Sequence, residues 1–302
     1  MLYLAGVLLG AAVVAGVGVS QAGVADAAMS HTQQIEAWRK QRLARLTAPT
    51  GWLSLVGLEW LKEGANKIGS AKDNDIVLAN APAHLGTITL RGGKASIALD
   101  PAADATIDGA KKPSADLLDD SVEKPTTVAF GTANFYLVHR GDKFGLRVKD
   151  SEAPTRKHFV GIDYFDIDPS WRFEAKWEAY DPPREVEETN IIGQVEKVIV
   201  PGAAVFVRDG KTYRVEPVIE NPGDTELFLV FADKTSGKET YGAARFVYTE
   251  PPKDGKVIID FNKAYNPPCA FTPFATCPLP TPQNRLQMRV TAGEKKYRGA
   301  HE

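Results

Sequence analysis

An unbroken alternation of apolar and charged side chains over residues 171–179 constrains the fold of this chain most. The run reads WRFEAKWEA. A period of two is the period of a β-strand, so Trp171, Phe173 and Trp177 share one buried face and the charged side chains face water. The segment therefore predicts an antiparallel strand with one solvated face.

Short apolar runs separated by turn residues extend this pattern through the C-terminal half. Residues 205–213 predict a hairpin, because Asp209 and Gly210 suit the positive φ angles of a tight turn. Further strands are predicted for 227–231, 241–248, 257–261 and the residues around Met288 and Val290. With 20 prolines and 26 glycines in 302 residues, turns are favoured over long helices. The sequence predicts a mainly β protein whose antiparallel meander forms a sandwich or a barrel.

One helix is predicted, near the N terminus, with Ser30 as its cap. The residues that recur at helical spacing are Ile35, Trp38, Arg42 and Leu46. After it, residues 51–61 are dense in leucine and tryptophan. Core packing is the default for such tryptophans, and a stacking platform for a ring-shaped ligand is the functional alternative.

The first residues predict a targeting signal. Residues 2–19 are almost entirely Leu, Ala, Val and Gly, and Ala25-Asp26-Ala27 fits the small-x-small pattern of a cleavage site. Removal of residues 1–27 would leave an exported protein, periplasmic or secreted, with no membrane span in its mature form. No Lys or Arg precedes the apolar run, so an uncleaved anchor is the alternative.

Two cysteines, Cys269 and Cys277, exclude a dense disulfide scaffold and a four-cysteine zinc site. In an oxidising compartment a pair eight positions apart predicts a disulfide, with a thiolate metal pair or free thiols as alternatives. Six prolines lie between Pro267 and Pro282 and flank both cysteines. The sequence thus predicts a rigid, proline-rich loop closed by a disulfide. No metal site and no cofactor are predicted.

The charge balance bears on the class of partner. Lys and Arg number 36 against 38 Asp and Glu, for a net charge of -2. Nucleic-acid binders normally carry a basic excess, so nucleic acid is not expected as a partner. A small molecule or a cell-envelope component is expected instead, and the sequence leaves the oligomeric state open.

Residues 64–109 resemble the start of a forkhead-associated (FHA) β-sandwich. The resemblance rests on the runs at 69–78, 83–85 and 108–109. Ser70 occupies the position of the usual arginine, and no Ser or Thr precedes His84 at the usual spacing. Phosphothreonine recognition requires that guanidinium and that hydroxyl. The resemblance therefore implies a shared topology without the shared function.

Polar residues gather where the predicted C-terminal strands end, which is where a β scaffold usually presents a site. The candidate ligand-binding residues are Trp52, Trp60, Tyr241, Arg245, Asn262, Tyr265 and Asn266. Asp233 and Asp260 are candidate acid and base residues of a hydrolase, provided that they lie about 5–10 Å apart across a cleft. The structural alternative is that these groups cap turns and satisfy buried carbonyls, tying the proline-rich loop to the sheet.

Long motifs over nearly the whole mature chain resemble a family of exported bacterial proteins known only as a domain of unknown function, DUF1684. The strongest are DFNKAYNPPCAFT at 260–272, ATCP at 275–278, NRL at 284–286 and AGEK at 292–295. Further matches are GWL at 51–53, Arg140, FADKT at 231–235, TY at 240–241 and RF at 245–246. The resemblance implies no reaction, but it supports residues 31–297 as one functional unit.

Four segments follow from these patterns. They are a signal peptide (1–27), an N-terminal helix with a tryptophan-rich segment (28–62), a small β-sandwich region (63–150) and an antiparallel β domain with the proline-rich loop (151–302). The predicted function is that of an exported, β-rich module that binds a small ligand or an envelope component. The alternative is a hydrolase of envelope material, such as a glycosidase, that uses Asp233 and Asp260. Whether the protein is an enzyme is left open at this point.

Overall fold

The computed structural model describes residues 29–299 and confirms a mainly β fold. The predicted signal peptide lies outside the described residues. The helices are α1 (His31–Thr47) and the one-turn α2 (Pro154–Lys157). Short 3-10 helices span Trp52–Ser54, Pro169–Trp171, Phe261–Lys263, Pro268–Ala270 and Pro282–Asn284.

Sixteen strands make up the sheets of the described part. They are β1 (Leu55–Trp60), β2 (Gly64–Gly69), β3 (Ile76–Val77), β4 (Gly86–Arg91), β5 (Lys94–Leu99), β6 (Thr106–Ile107), β7 (Ser114–Leu117), β8 (Thr127–Phe130), β9 (Ala133–Arg140), β10 (Lys143–Asp150), β11 (Arg172–Thr189), β12 (Val195–Arg208), β13 (Lys211–Val215), β14 (Phe228–Phe231), β15 (Arg245–Tyr248) and β16 (Lys256–Asp260). Between residues 29 and 299, neither helix has the length and hydropathy needed to cross a bilayer.

The N-terminal helix α1 forms where its capping signals predict it. The Ser30 hydroxyl accepts a hydrogen bond from the Gln33 amide, and the Gln33 side chain accepts one from the Ser30 amide. This reciprocal capping satisfies two amide groups that have no partner within the helix. The buried face of α1 carries Ile35, Arg42 and Leu46, three of the residues predicted at helical spacing.

The first β unit has two five-stranded sheets that share one apolar core. One sheet has the order β1-β10-β9-β8-β6 and the other β3-β2-β4-β5-β7. Ile68 and Ile88 from the second sheet meet Phe135 and Leu146 from the first, and all four are fully buried. Because side chains alternate along β10, Leu146 enters this core while Arg147 lies on the outer face.

The second β unit joins a four-stranded sheet of order β13-β12-β11-β16 to the pair β14-β15. Phe173 and Trp177 pack against its core, as the alternation in β11 predicts. The predicted hairpin is also confirmed: β12 and β13 meet at Asp209 and Gly210, whose φ angles are 50° and 71°.

Strand β14 is apolar at every position because both of its faces are covered. Leu229 and Phe231 enter the core that contains Phe173, while Phe228 and Val230 enter a second core. The second core also holds Cys269 and Cys277. Strand β14 is therefore a central wall between two apolar layers, as expected for a short run without alternation.

Two strand predictions need correction. The strand predicted for 241–248 begins only at Arg245. The strand predicted around Met288 and Val290 is wrong, because that segment is irregular. One backbone bond reaches it, from the Lys234 amide to the Met288 carbonyl. At Val290 side chains take the place of a neighbouring strand: its amide donates to Asp233, and its carbonyl accepts from Arg245.

The proline-rich loop closes onto the tip of the β11–β12 hairpin. The Ile191 amide donates to the Cys277 carbonyl, and the Leu279 amide donates to the Thr189 carbonyl, both at 2.9 Å. Cys269 and Cys277 are buried free thiols, and the Cys269 amide donates to the Cys277 sulfur at 3.2 Å. The disulfide between them remains a prediction.

Candidate functional site

A cleft of about 1030 Å³ lies between the outer face of the first β unit and the second β unit. Its walls come from the α1 helix, strands β9 to β12, the loop before β14 and the proline-rich loop. Ligand pockets in proteins typically enclose about 300–1,000 Å³. The cleft is therefore large enough for a small organic ligand.

Arg147 is the most unusual side chain of this cleft. It is only 4% exposed, yet its Nε atom is buried without a hydrogen-bond partner. Its other contacts are long: Nη2 lies 3.4 Å from the Thr276 hydroxyl, and Nη1 lies 3.5 Å from the Tyr136 hydroxyl. Good hydrogen bonds to oxygen are about 2.7–3.2 Å long. The guanidinium group is thus buried and only weakly bonded.

Arg140 and Asp120 stand beside Arg147. Two guanidinium nitrogens of Arg140 bind the two carboxylate oxygens of Asp120 at 2.9 and 2.6 Å. Asp120 lies 3.8 Å from Arg147, and the Thr276 hydroxyl accepts from Nε of Arg140 at 3.3 Å. Two guanidinium groups therefore share one carboxylate, which leaves a net positive charge on this wall.

Aromatic rings line the same space. The Trp52 ring lies beneath the Arg147 guanidinium, with 5.1 Å between the guanidinium carbon and a ring centroid. Lys149 also lies over Trp52, and burial followed by the repulsion of Arg147 lowers the pKa of Lys149 to about 8. Trp38, Tyr248 and Tyr265 line the cleft as well. Flat rings next to cations suit a ligand that has both a ring and an anionic group.

Another part of the cleft lining is acidic. Glu188 of β11 and Glu196 of β12 are direct partners in the antiparallel register, and both line the cleft with Glu220. Burial, followed by repulsion from Glu196 and Glu220, raises the pKa of Glu188 to about 7. One oxygen of Glu196 is buried without a hydrogen-bond partner. This group of three carboxylates is called the acidic wall below.

The predicted ligand-binding residues fall into two groups. Trp52 and Tyr265 line the cleft. Trp60 lies elsewhere, with its ring over Gly145, where an added Cβ would come within 2.9 Å of it. Tyr241 also lies outside the lining, and its hydroxyl donates to the Cys269 carbonyl at 2.9 Å.

Arg245 and Asp233 form a buried internal pair. Arg245 is 2% exposed, and its Nη2 atom lies 3.1 Å from the Asp233 carboxylate. Arg245 also donates to the carbonyls of Ala292 and Val290 at 2.6 and 2.8 Å. Burial lowers the pKa of Arg245, while the attraction of Asp233 opposes that change. Every contact of this pair is structural in kind, and its predicted roles in binding and catalysis stay predictions.

Asp260 and Asn262 join α1 to the second β unit. Asp260 lies 2.6 Å from Nε2 of His31, and its other oxygen accepts from the Asn262 amide and side chain. Asn262 is fully buried and exchanges hydrogen bonds with the backbone of Asp168. Asp260 and Asp233 thus have separate partners, and nothing in the described region joins the two carboxylates predicted to act together.

Asn266 is fully buried in a second contact between α1 and the second β unit. Its amide donates to Glu294 at 2.7 Å, and its carbonyl accepts from Arg42 at 2.9 Å. Arg42 also binds Glu294 at 3.1 Å. Burial raises the pKa of Glu294, and the Arg42 charge opposes that change. The contacts of Asn266 hold the helix in place, and its predicted role in ligand binding stays a prediction.

The cysteine pair borders the cleft through Cys277. A hydrogen bond from the Cys277 thiol lowers the pKa of Cys269, and burial raises the pKa of Cys277. Within residues 29–299, no group of three or more His, Cys, Asp or Glu side chains is arranged to hold a metal ion.

Comparison with known proteins places the second β unit in a family. Residues 157–295 match the sequence profile described as "Protein of unknown function (DUF1684)". This region belongs to the DUF1684 family. No curated protein matches the chain significantly.

Similar solved structures cover parts of the chain. An uncharacterised protein of Haloarcula marismortui is 32% identical over 46% of this chain and 78% of its own, with a TM-score of 0.40. An FHA domain studied in phosphothreonine-dependent interactions is 19% identical over 30% of this chain and 92% of its own, with a TM-score of 0.22. The FHA-2 domain of a Mycobacterium tuberculosis ABC transporter is 29% identical over 29% of this chain and 77% of its own, also at 0.22. None of these TM-scores supports a functional argument.

The DUF1684 region supplies only part of the cleft, and sequence reasoning missed most of the charged lining. Thr276 lies in the matched region, and Arg140 lies outside it but was among the residues of the sequence resemblance, so the sequence drew attention to both without a role. Arg147 carried no signal, because an arginine between apolar strand residues is typical of a solvated outer face. Glu188 and Glu196 lie in charged runs that are equally typical of solvent exposure.

Proposed function

We propose that this protein is a binding module that holds a small anionic ligand in the cleft between its two β units. The single observation that carries the proposal is Arg147, a guanidinium group that lines a ligand-sized cleft, is 4% exposed and has an Nε atom buried without a hydrogen-bond partner. A buried charge without good partners is costly, so such groups are typical of sites that a ligand completes.

The chemistry of the wall indicates the kind of ligand. Arginine binds carboxylate and phosphate groups through two parallel hydrogen bonds, and two arginines share a single carboxylate here. Trp52 offers a flat apolar face next to them. The ligand we propose therefore has a carboxylate or phosphate group and a ring or another apolar part.

The proposal can be tested with N-acetyl-alanyl-phenylalanine, which combines a carboxylate with a ring. We expect the full-length protein to bind it in titration calorimetry, and Arg147→Met to weaken binding at least about tenfold, which corresponds to about 1.4 kcal/mol. Arg147→Lys keeps the charge but lacks the fork, so it should recover only part of the affinity.

A matched control separates the site from a general charge effect. Arg289 is exposed and pairs with Glu239, so Arg289→Met removes the same charge outside the cleft. It should bind like the wild type. Equal weakening by both variants would contradict the proposal. Native mass spectrometry of the purified protein provides an independent measurement, and a co-purified small anion lost in Arg147→Met would support the same site.

We also propose export and a disulfide, on the basis of the apolar N terminus and the proximity of the thiols. Cys269 and Cys277 are neighbours in one buried cluster. Disulfide exchange with an oxidised dithiol would join the two sulfurs, and both electrons and both protons would pass to that oxidant. Intact mass measurement of protein from the native host should show a chain that starts near residue 28 and lacks two hydrogens. A full-length chain with alkylatable thiols would contradict both parts.

A further inference from the structure

The acidic wall lines the same cleft as Arg140 and Arg147, called the positive wall below, and has no role in the binding of an anion. Among the residues that the structure describes, Glu188, Glu196 and Glu220 line this space without a salt bridge. Glu220 accepts a hydrogen bond from the Tyr248 hydroxyl, whereas one oxygen of Glu196 is buried without any partner. Unneutralised carboxylates in a cleft favour a positively charged group.

The register of β11 and β12 explains why the carboxylates of Glu188 and Glu196 lie close to each other. Glu188 and Glu196 are paired directly across β11 and β12. Side chains at such positions have Cβ atoms about 4.5–5.5 Å apart, and like charges there are destabilising. The raised pKa of Glu188, to about 7, is the expected consequence of burial and of this repulsion. A cation between the two carboxylates would remove the repulsion.

The two walls belong to one cleft, because Arg140, Arg147, Glu188 and Glu196 all line it. Burial lowers the pKa of Arg140, but the Asp120 carboxylate and, after it, the Glu196 charge outweigh burial and raise it. Glu196 thus lies within electrostatic range of the positive wall. Arg147, nine-tenths buried with an unpartnered Nε atom, lines the same cleft. A buried guanidinium group with few good partners favours an anionic group beside it.

We propose that the ligand is a zwitterion of the amino acid or short peptide class, whose ammonium group binds Glu188 and Glu196 while its carboxylate binds Arg147. This inference rests on the proposed function and adds the cationic half of the ligand. An ammonium group suits the wall because it forms up to three hydrogen bonds with carboxylate oxygens. A ring or aliphatic side chain between the two charged ends would contact Trp52.

Three matched peptides test this at pH 7 by titration calorimetry of the full-length protein. Alanyl-phenylalanine carries both charges, N-acetyl-alanyl-phenylalanine carries only the carboxylate, and alanyl-phenylalanine amide carries only the ammonium group. We expect the zwitterion to bind at least about tenfold more tightly than either singly charged peptide, because each charge contributes hydrogen bonds of the charge-assisted kind.

Variants of the acidic wall test which of its residues bind the ammonium group of the ligand. Glu188→Gln and Glu196→Gln should each weaken binding of the zwitterion about tenfold and leave the N-acetyl peptide unchanged. The control is Glu187→Gln, because exposed Glu187 pairs with Lys197 in the register and lies outside the cleft lining. It should bind all three peptides like the wild type.

The outcomes separate this inference from the proposed function. If the N-acetyl peptide binds as tightly as the zwitterion, or if Glu196→Gln weakens both equally, the cationic site is overturned and the anion site stands. If none of the three peptides binds, the zwitterion class is overturned, and the co-purified anion then decides the proposed function alone. If Arg147→Met has no effect on any peptide that binds, both proposals fail.

Discussion

Two buried arginines in this protein have opposite surroundings. Arg245, in the core of the second β unit, donates to two carbonyls and to Asp233 at 2.6–3.1 Å. Arg147, in the cleft, has only contacts of 3.4 Å and longer and an unpartnered Nε atom. Both are at most 4% exposed. Burial alone therefore does not distinguish these two arginines, whereas the completeness of their hydrogen bonding does.

The largest expected effect concerns the stability of the two arginine sites. Arg245→Met leaves the buried Asp233 carboxylate without its opposite charge, so we expect a loss of about 3–5 kcal/mol in the free energy of unfolding. Arg147→Met removes only long contacts and should cost about 1 kcal/mol or less. Urea denaturation monitored by tryptophan fluorescence measures both. Similar losses for the two variants would show that Arg147 is a structural residue like Arg245.

The acidic wall should make stability depend on pH. The pKa of Glu188 is about 7 in the folded protein, above its ordinary value of 4.5. The folded state thus binds the proton more tightly, and this contribution is complete below about pH 4.5 and lost as the pH rises through 7. The slope from this one group is at most about 1.4 kcal/mol per pH unit.

Glu188→Gln should flatten the stability profile between these two pH values. Burial of Glu188 sets most of this effect, and repulsion from Glu196 and Glu220 adds to it. Thermal unfolding at a series of pH values measures it, with Glu187→Gln as the control that keeps the wild-type slope. An unchanged slope in Glu188→Gln would contradict the raised pKa of Glu188 in the folded protein.

The two tryptophans predicted as stacking residues should differ in the same way as the arginines. Trp52 lines the cleft, while Trp60 packs over Gly145. Trp52→Ala should weaken binding of N-acetyl-alanyl-phenylalanine about tenfold, and Trp60→Ala should reduce stability without changing the affinity. Calorimetry and denaturation of both variants provide the comparison. If only Trp60→Ala lost affinity, the ligand would bind outside the cleft, and the proposed site would be wrong.

The smallest effect is expected at the Thr276 hydroxyl. It accepts from Arg140 and Arg147 at 3.3 and 3.4 Å, so Thr276→Val should change affinity by less than about threefold. Thr235, fully buried in the core, holds Asp233 and Thr240 at 2.9 and 2.8 Å. Thr235→Val should therefore cost about 1–3 kcal/mol of stability. A greater loss of stability in Thr276→Val than in Thr235→Val would contradict this prediction.

Patterns that act over a few residues made much of the fold predictable. Alternation over residues 171–179, the Asp209-Gly210 turn and the Ser30 cap each depend on neighbours in the chain, and the structure confirms all three. The strand predicted around Met288 and Val290 failed because distant side chains, Asp233 and Arg245, bond that backbone. Local periodicity contains no information about such partners.

The candidate site was less predictable from the sequence than the fold. Of the aromatic residues selected from the sequence, Trp52 and Tyr265 reach the cleft, whereas its charged walls were missed. Glu188 and Glu196 are far apart from Arg147 in the chain, and only the packing of the two β units brings them to one space. Residues that are so far apart in the chain form no motif with a recognisable spacing, so a single sequence does not reveal that they meet.

In strands whose side chains alternate, the sequence by itself determined which face is apolar, because water selects that face for burial. It thereby placed Arg147 on the outer face of β10, opposite Leu146. Only the tertiary structure decided that this outer face would be covered, by Trp52 and the proline-rich loop, and not left in water. The reason is that the environment of a charge depends on every chain segment that packs near it, and those segments lie far away in the sequence.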